Sequence, residues 1–269
     1  MIRRLLSRTF IKAEVSSYRS LQKNITKVDY KVISICVIVA VAVTCERYFG
    51  DYSFLGMLLH DLELVRLSQA YDALMLTHAD AQLHRKLYWA INVIFFFFVV
   101  PYVFIVYVLK EKLTDYGLGF RGALKDYQLA ILMLAIMLPI IIYFSSTKGF
   151  LATYPFYKPG ENESLYPNFF IWESFYFVQF VALEFFFRGF ILHGTKERFG
   201  FYAIFVMMIP YCMIHFDKPM METLAAIIAG IVLGIMSLRS KSIWMGVFMH
   251  CCVALTMDLC VLYRTGMLS

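Results

Sequence analysis

The chain has 269 residues, of which 61% are hydrophobic, 17% aromatic and only 16% charged, against about 25% charged in an ordinary soluble domain. That balance excludes a soluble enzyme, a disordered regulator and a nucleic-acid-binding domain, because the apolar side chains outrun the polar surface that could cover them. The formal charge of +6 does not reopen nucleic acid. Its surplus lies in the first thirty-one residues and in short segments between apolar runs, where it reads as membrane topology.

Residues 1–31 form a basic segment in which Ile2, Leu5, Leu6 and Phe10 are spaced as on an amphipathic surface helix. The first apolar run starts only at Val32, too far along for a cleaved secretory signal. A helix needs about 20 apolar residues to cross the hydrocarbon, and seven runs qualify or nearly so: 32–44 with its flanks, 88–109, 128–144, 169–192, 201–214, 224–238 and 243–262. The fold class expected is therefore all-α, a polytopic transmembrane helix bundle of about seven spans. Between the first two runs, residues 46–87 carry charges throughout, with Leu58, Leu62, Val65 and Leu74 at helical spacing, so they read as interfacial helix. Residues 32–127 are thus the N-terminal spans with their interfacial loop, and 128–269 the core membrane domain.

Lysines and arginines set the orientation. With the N-terminus inside, the inner segments hold roughly twice as many as the outer ones, including Arg3, Arg4, Lys110, Lys112, Arg121, Lys125, Lys196, Arg198, Arg239 and Lys241. This predicts a cytoplasmic N-terminus and an outward loop at 145–168. The cysteines offer no CxxC pair or ligand spacing; Cys36, Cys212, Cys251, Cys252 and Cys260 fall in apolar runs and are expected as buried, reduced thiols.

Ionisable groups at membrane depth are costly and usually functional or paired, so the few that interrupt the last four runs carry the information. Glu184 and Arg188 stand four apart, in the order that favours an ion pair on one helix face. His215 closes the fifth run and His250 interrupts the seventh. If the fourth and fifth helices turn near Phe199 and Gly200, Glu184 and His215 lie about fifteen residues on either side of the turn, and so at similar depth. His250, some ten residues into the last helix, comes near the same level within helix tilt. A carboxylate and two imidazoles in a low-dielectric site suit water activation. Two histidines and a carboxylate can also hold zinc with an open position; with no HExxH present, the expectation is no cofactor. Ala225, Ala226, Ala229, Gly230 and Gly234 give the sixth helix a close-packing face.

These residues resemble the CAAX-protease and bacteriocin-processing (CPBP, or Abi) family of membrane proteins, which includes type II CAAX prenyl endopeptidases. Its motifs, Glu-Glu-xxx-Arg, Phe-xxx-His and His-xxx-Asn/Asp on consecutive spans, correspond to Leu183-Glu184 with Arg188, Tyr211 with His215, and His250 with Ala254. The resemblance covers about a third of the chain, residues 172–258, and implies an intramembrane endopeptidase of a membrane-associated protein or peptide substrate in the bilayer. Glu184, Arg188, His215 and His250 would be catalytic, and Tyr211 and Asp258 would line the substrate cavity. It also implies a multi-pass protein of a bacterial inner membrane. Two positions depart from the pattern: leucine stands at 183, where the family has its base, and alanine at 254, where it has an oxyanion residue. Asp258 lies about 12 Å beyond His250 along the axis, too far to replace an i+4 side chain. The rival implication is a catalytically degenerate member acting in membrane peptide binding, assembly or transport.

Overall fold

A computed structural model describes residues 28–267 together with Lys12, Val15 and Ser16; the expected surface helix bearing Ile2, Leu5, Leu6 and Phe10 lies outside the described residues. Described residues form helices α1 (Tyr30–Phe49), α2 (Tyr52–Asp61), α3 (Val65–Asp72), α4 (Ala81–Leu109), α5 (Tyr127–Phe144) and α6 (Lys148–Thr153), then α7 (Asn168–Glu184), α8 (Gly194–Phe199), α9 (Ala203–Met213), α10 (Met220–Ser240) and α11 (Trp244–Arg264). Six stretches among them are long and apolar enough to cross a membrane. One, Asn168–Met213, runs to 46 residues, about twice a span's need, and holds two of the seven runs read from the sequence. The protein is an all-helical, multi-pass integral membrane protein.

That long stretch divides at Gly200, whose φ of 55° and ψ of −129° only glycine adopts without strain. There the chain reverses, so that α9 packs back on the preceding helix, with Phe187 and Tyr211 in edge contact at 5.3 Å between ring centres. The segment Phe185–His193 between α7 and α8 is a π-helix rather than an α-helix. It is buried throughout, and at Gly189 a Cβ would sit 2.7 Å from the Tyr116 carbonyl oxygen. The bare position at Gly189 is what lets the Tyr116 backbone come this close.

The chain forms two compact units. The first comprises Met1–Ala40, Pro101–Lys125 and Glu184–Trp244. In it the small-residue face of α10 meets α9: a Cβ at Gly230 would lie 3.1 Å from Met208 Cγ and 3.2 Å from Tyr211 Cδ1, and one at Gly234 would lie 3.1 Å from Ile204 and from Met207. Packing of this kind is the use that small residues have between membrane helices.

The second unit comprises Val41–Val100, Asp126–Leu183 and Met245–Ser269. Its core joins Leu83 and Ala90 of α4, Tyr157 of the loop before α7, Trp172, Tyr176 and Phe180 of α7, and Ala254 of α11. Along α7, Trp172, Tyr176 and Phe180 recur every four residues, and their rings follow one another at 4.8 and 4.5 Å. The loop at 154–167 is pinned to this core through Glu163, which accepts hydrogen bonds from the backbone amides of Leu83 and Gly160, both at 2.9 Å. None of the six cysteines is disulfide-bonded, yet the expectation that they are buried fails: Cys36 is exposed and the others are half-buried. On helices whose outer faces meet lipid, an apolar thiol has no reason to be inside.

Candidate functional site

The polar residues singled out in the sequence fall into two clusters, one in each unit. In the first, Glu184 ends α7 and Arg188 follows within the π-helix, both fully buried. Arg188 Nη1 stands 3.0 Å from Glu184 Oε1. That is ion-pair distance, although the N–H is not aligned on the oxygen as a hydrogen bond. The guanidinium carbon lies over the Tyr211 ring, 3.9 Å from its centre. A buried charge pair thus gains a cation–π contact where desolvation makes such contacts strongest. Nε and Nη2 of Arg188 are buried with no hydrogen-bond partner; they are donors not consumed by the pair.

One turn beyond Tyr211, the half-buried His215 ring packs edge-on against Tyr211 at 4.8 Å. Its Nδ1 lies 2.8 Å from the Tyr211 carbonyl oxygen. Only a protonated nitrogen can face a carbonyl, so Nδ1 carries the hydrogen and Nε2 of the neutral ring is the acceptor. The hairpin at Gly200 therefore joins Glu184, Arg188, Tyr211 and His215 in one contiguous chain of contacts.

The second cluster holds His250. Its Nδ1 faces the Gly246 carbonyl oxygen at 3.1 Å, and its ring stacks on Phe180 at 5.4 Å. The same reasoning leaves Nε2 as its acceptor. Two turns on, Asp258 is fully buried and accepts a hydrogen bond from the Phe156 backbone amide at 3.1 Å. It fixes the loop before α7 to α11. Against it lies Glu173 of α7, a buried carboxylate. Lys158, in the loop, has its ammonium held below the ordinary lysine range by burial, opposed by the attraction of Asp258. Glu173 is the residue that sequence reasoning missed, and the signal was present: a carboxylate inside the apolar run 169–192, eleven residues before Glu184. The two departures from the family pattern are both buried, Leu183 at 7% exposure and Ala254 at 4%. Ala254 belongs to the aromatic core, where an asparagine amide would need new partners. Among the described residues, no group of three or more His, Cys, Asp or Glu side chains is placed to hold a metal ion.

Residues 166–256 match the family model of the type II CAAX prenyl endopeptidase Rce1-like proteins. Over that third of its length the chain is similar to this family, and the matched stretch contains Glu184, Arg188, Tyr211, His215 and His250. Comparison with curated proteins and with solved structures gives no match.

Proposed function

We propose that the protein is a metal-free intramembrane endopeptidase that hydrolyses peptide bonds of a membrane-associated protein or peptide. The observation that carries this reading is the buried Glu184–Arg188 pair under Tyr211, one turn from an imidazole whose Nε2 is the acceptor. Arg188 supplies the counter-charge to Glu184 in a dry interior, and an ionised carboxylate is the form that removes a proton from water. His215 orients that water through Nε2. For His250, which lies within the matched residues, we keep the catalytic role that the sequence resemblance implies. In the step proposed, water attacks the scissile carbonyl, its proton passes to Glu184, and the carbonyl oxygen becomes an oxyanion facing Arg188's remaining donors. The proton then goes to the leaving amine as the C–N bond breaks. The N-terminus is assigned to the cytoplasm by the charge asymmetry, and the membrane to a bacterial inner membrane.

Glu184→Gln tests the assignment. Glutamine keeps the shape but cannot take up a proton at neutral pH, so processing of membrane peptides should vanish in the folded variant, while the melting temperature falls less than in Arg188→Ala because an amide oxygen still faces the guanidinium. A second reading is supported by Leu183 and Ala254, which put apolar side chains where the family carries its base and its oxyanion residue. On that reading the protein holds membrane peptides without cutting them. Wild-type behaviour in Glu184→Gln, with loss of function when bulk is introduced at Gly230 or Gly234, would select it.

A further inference from the structure

The loop at 117–125 enters neither reading of the site. It lies between the end of α4 and the start of α5 and is laced along its length to the junction of α10 and α11. The Ile243 amide donates to the Gly117 carbonyl at 3.0 Å, Trp244 Nε1 to the Leu118 carbonyl at 3.0 Å, and Ser242 Oγ to the Gly119 carbonyl at 2.9 Å. Lys125 Nζ reaches the Arg239 carbonyl at 2.9 Å. Gly122, at φ +85°, runs so close to α10 that a Cβ would lie 2.6 Å from the Ser240 carbonyl oxygen. A fixed loop is the result, and what it displays is unlike a water-facing turn. Phe120 is 72% exposed and Leu124 74% exposed, while Arg121, Lys125 and Lys241 are exposed beside them. Phe120 also stacks on Trp244 at 4.5 Å with the rings 9° from parallel, which holds it outward on a rigid support.

Exposed apolar side chains alternating with cations, set at the ends of membrane spans, match the headgroup layer of a bilayer. Aromatic side chains sit there, and basic ones attract anionic lipid. We propose that residues 117–125, with Lys241, form an interfacial anchor for anionic phospholipid. Arg121, Lys125 and Lys241 take the phosphate headgroups, and Phe120 and Leu124 enter the upper acyl region. The anchor is independent of whether the protein cuts peptides, and it would fix the level at which α10 and α11 sit in the bilayer.

The test uses the whole chain purified in a neutral detergent, with its melting temperature followed as phosphatidylglycerol, phosphatidylcholine or inorganic phosphate is added. Phosphatidylglycerol should raise the melting temperature by several degrees and the other two should not. The triple variant Arg121→Gln, Lys125→Gln, Lys241→Gln should need on the order of tenfold more phosphatidylglycerol for the same rise, and Phe120→Ser with Leu124→Ser should also blunt the response. As a measurement on wild-type protein, brominated phosphatidylglycerol should quench tryptophan emission more than brominated phosphatidylcholine, and Trp244→Phe should remove that excess. An undiminished rise in either variant would overturn the proposal, as would an equal effect of phosphatidylcholine or of inorganic phosphate alone, or an excess quench that survives Trp244→Phe.

Discussion

The two polar clusters both rest on buried carboxylates, and they satisfy them by opposite means. Glu184 meets a full counter-charge, itself capped by an aromatic face. Asp258 instead meets a backbone amide, with a second carboxylate and a half-buried lysine nearby. A charge balanced by another charge depends wholly on its partner, since either one left alone in a dry interior carries an uncompensated desolvation cost. A carboxylate held by a backbone amide depends on the position of that amide, and its chief effect is to tether a loop. The first arrangement suits a group that must be ionised to act; the second suits a group that must hold still.

Arg188→Ala breaks the comparison most directly. It leaves Glu184 buried without its counter-charge and removes the guanidinium from beneath Tyr211, so a loss of about 3–5 kcal/mol is expected. In a detergent-solubilised melting experiment this should appear as the largest drop of any single polar substitution. Arg188→Lys should recover part of the stability, because the charge returns, but less of the function, because a planar fork lying over a ring is replaced by a point charge. An unchanged melting temperature in Arg188→Ala would mean that Arg188 does not balance Glu184, and the base assignment would fall with it.

Much of the first cluster was legible in the sequence because its cause is local. Spacing of i and i+4 gives Glu184 and Arg188 a common face, and Gly200 between two apolar runs marks the hairpin that brings Tyr211 and His215 back to them. The glycines of α10 likewise announce a face that must be approached closely. What could not be read has tertiary causes. The π-helix at Phe185–His193 has no signal in its own sequence, and the Tyr116 carbonyl that lies against its Gly189 is more than seventy residues away. Glu173 acquires its meaning only from Asp258 and the loop that Asp258 tethers. Ala254 reads as a lost motif residue until the aromatic core around it shows why an apolar side chain is at home there.

Asp258 sharpens the contrast at an intermediate magnitude. Asp258→Ala removes the acceptor of the Phe156 amide, and a buried donor left unsatisfied costs about 1–3 kcal/mol. Asp258→Asn keeps an acceptor and takes away a negative charge beside Glu173, so it should cost less and can even stabilise. The order wild type close to Asn, with Ala below both, in melting temperature is the signature of a tether. Equal losses in Asn and Ala would show that the charge of Asp258 matters, and the two clusters would then be alike.

The smallest effect is expected at Lys158, and it tests the same distinction from the loop side. Its ammonium donates to the carbonyls of Leu151, at 3.1 Å, and Ala152, at 2.6 Å, near the end of α6, a cation placement that favours a helix C-terminus by roughly 0.3–1 kcal/mol. Lys158→Gln should therefore cost less than about 1 kcal/mol. The pH dependence is more telling. Burial lowers the lysine's pKa in the folded protein despite the pull of Asp258, so as pH rises the folded state releases this proton before the unfolded state does. Between the lowered value and the ordinary lysine value near 10.4 the unfolded chain binds more protons, and stability rises with pH. Wild type should then gain on Lys158→Gln in melting temperature as pH is raised from 8 toward 10. If it loses ground instead, the pull of Asp258 outweighs burial, and the loop before α7 is held by a charge pair of the same kind as Glu184 and Arg188.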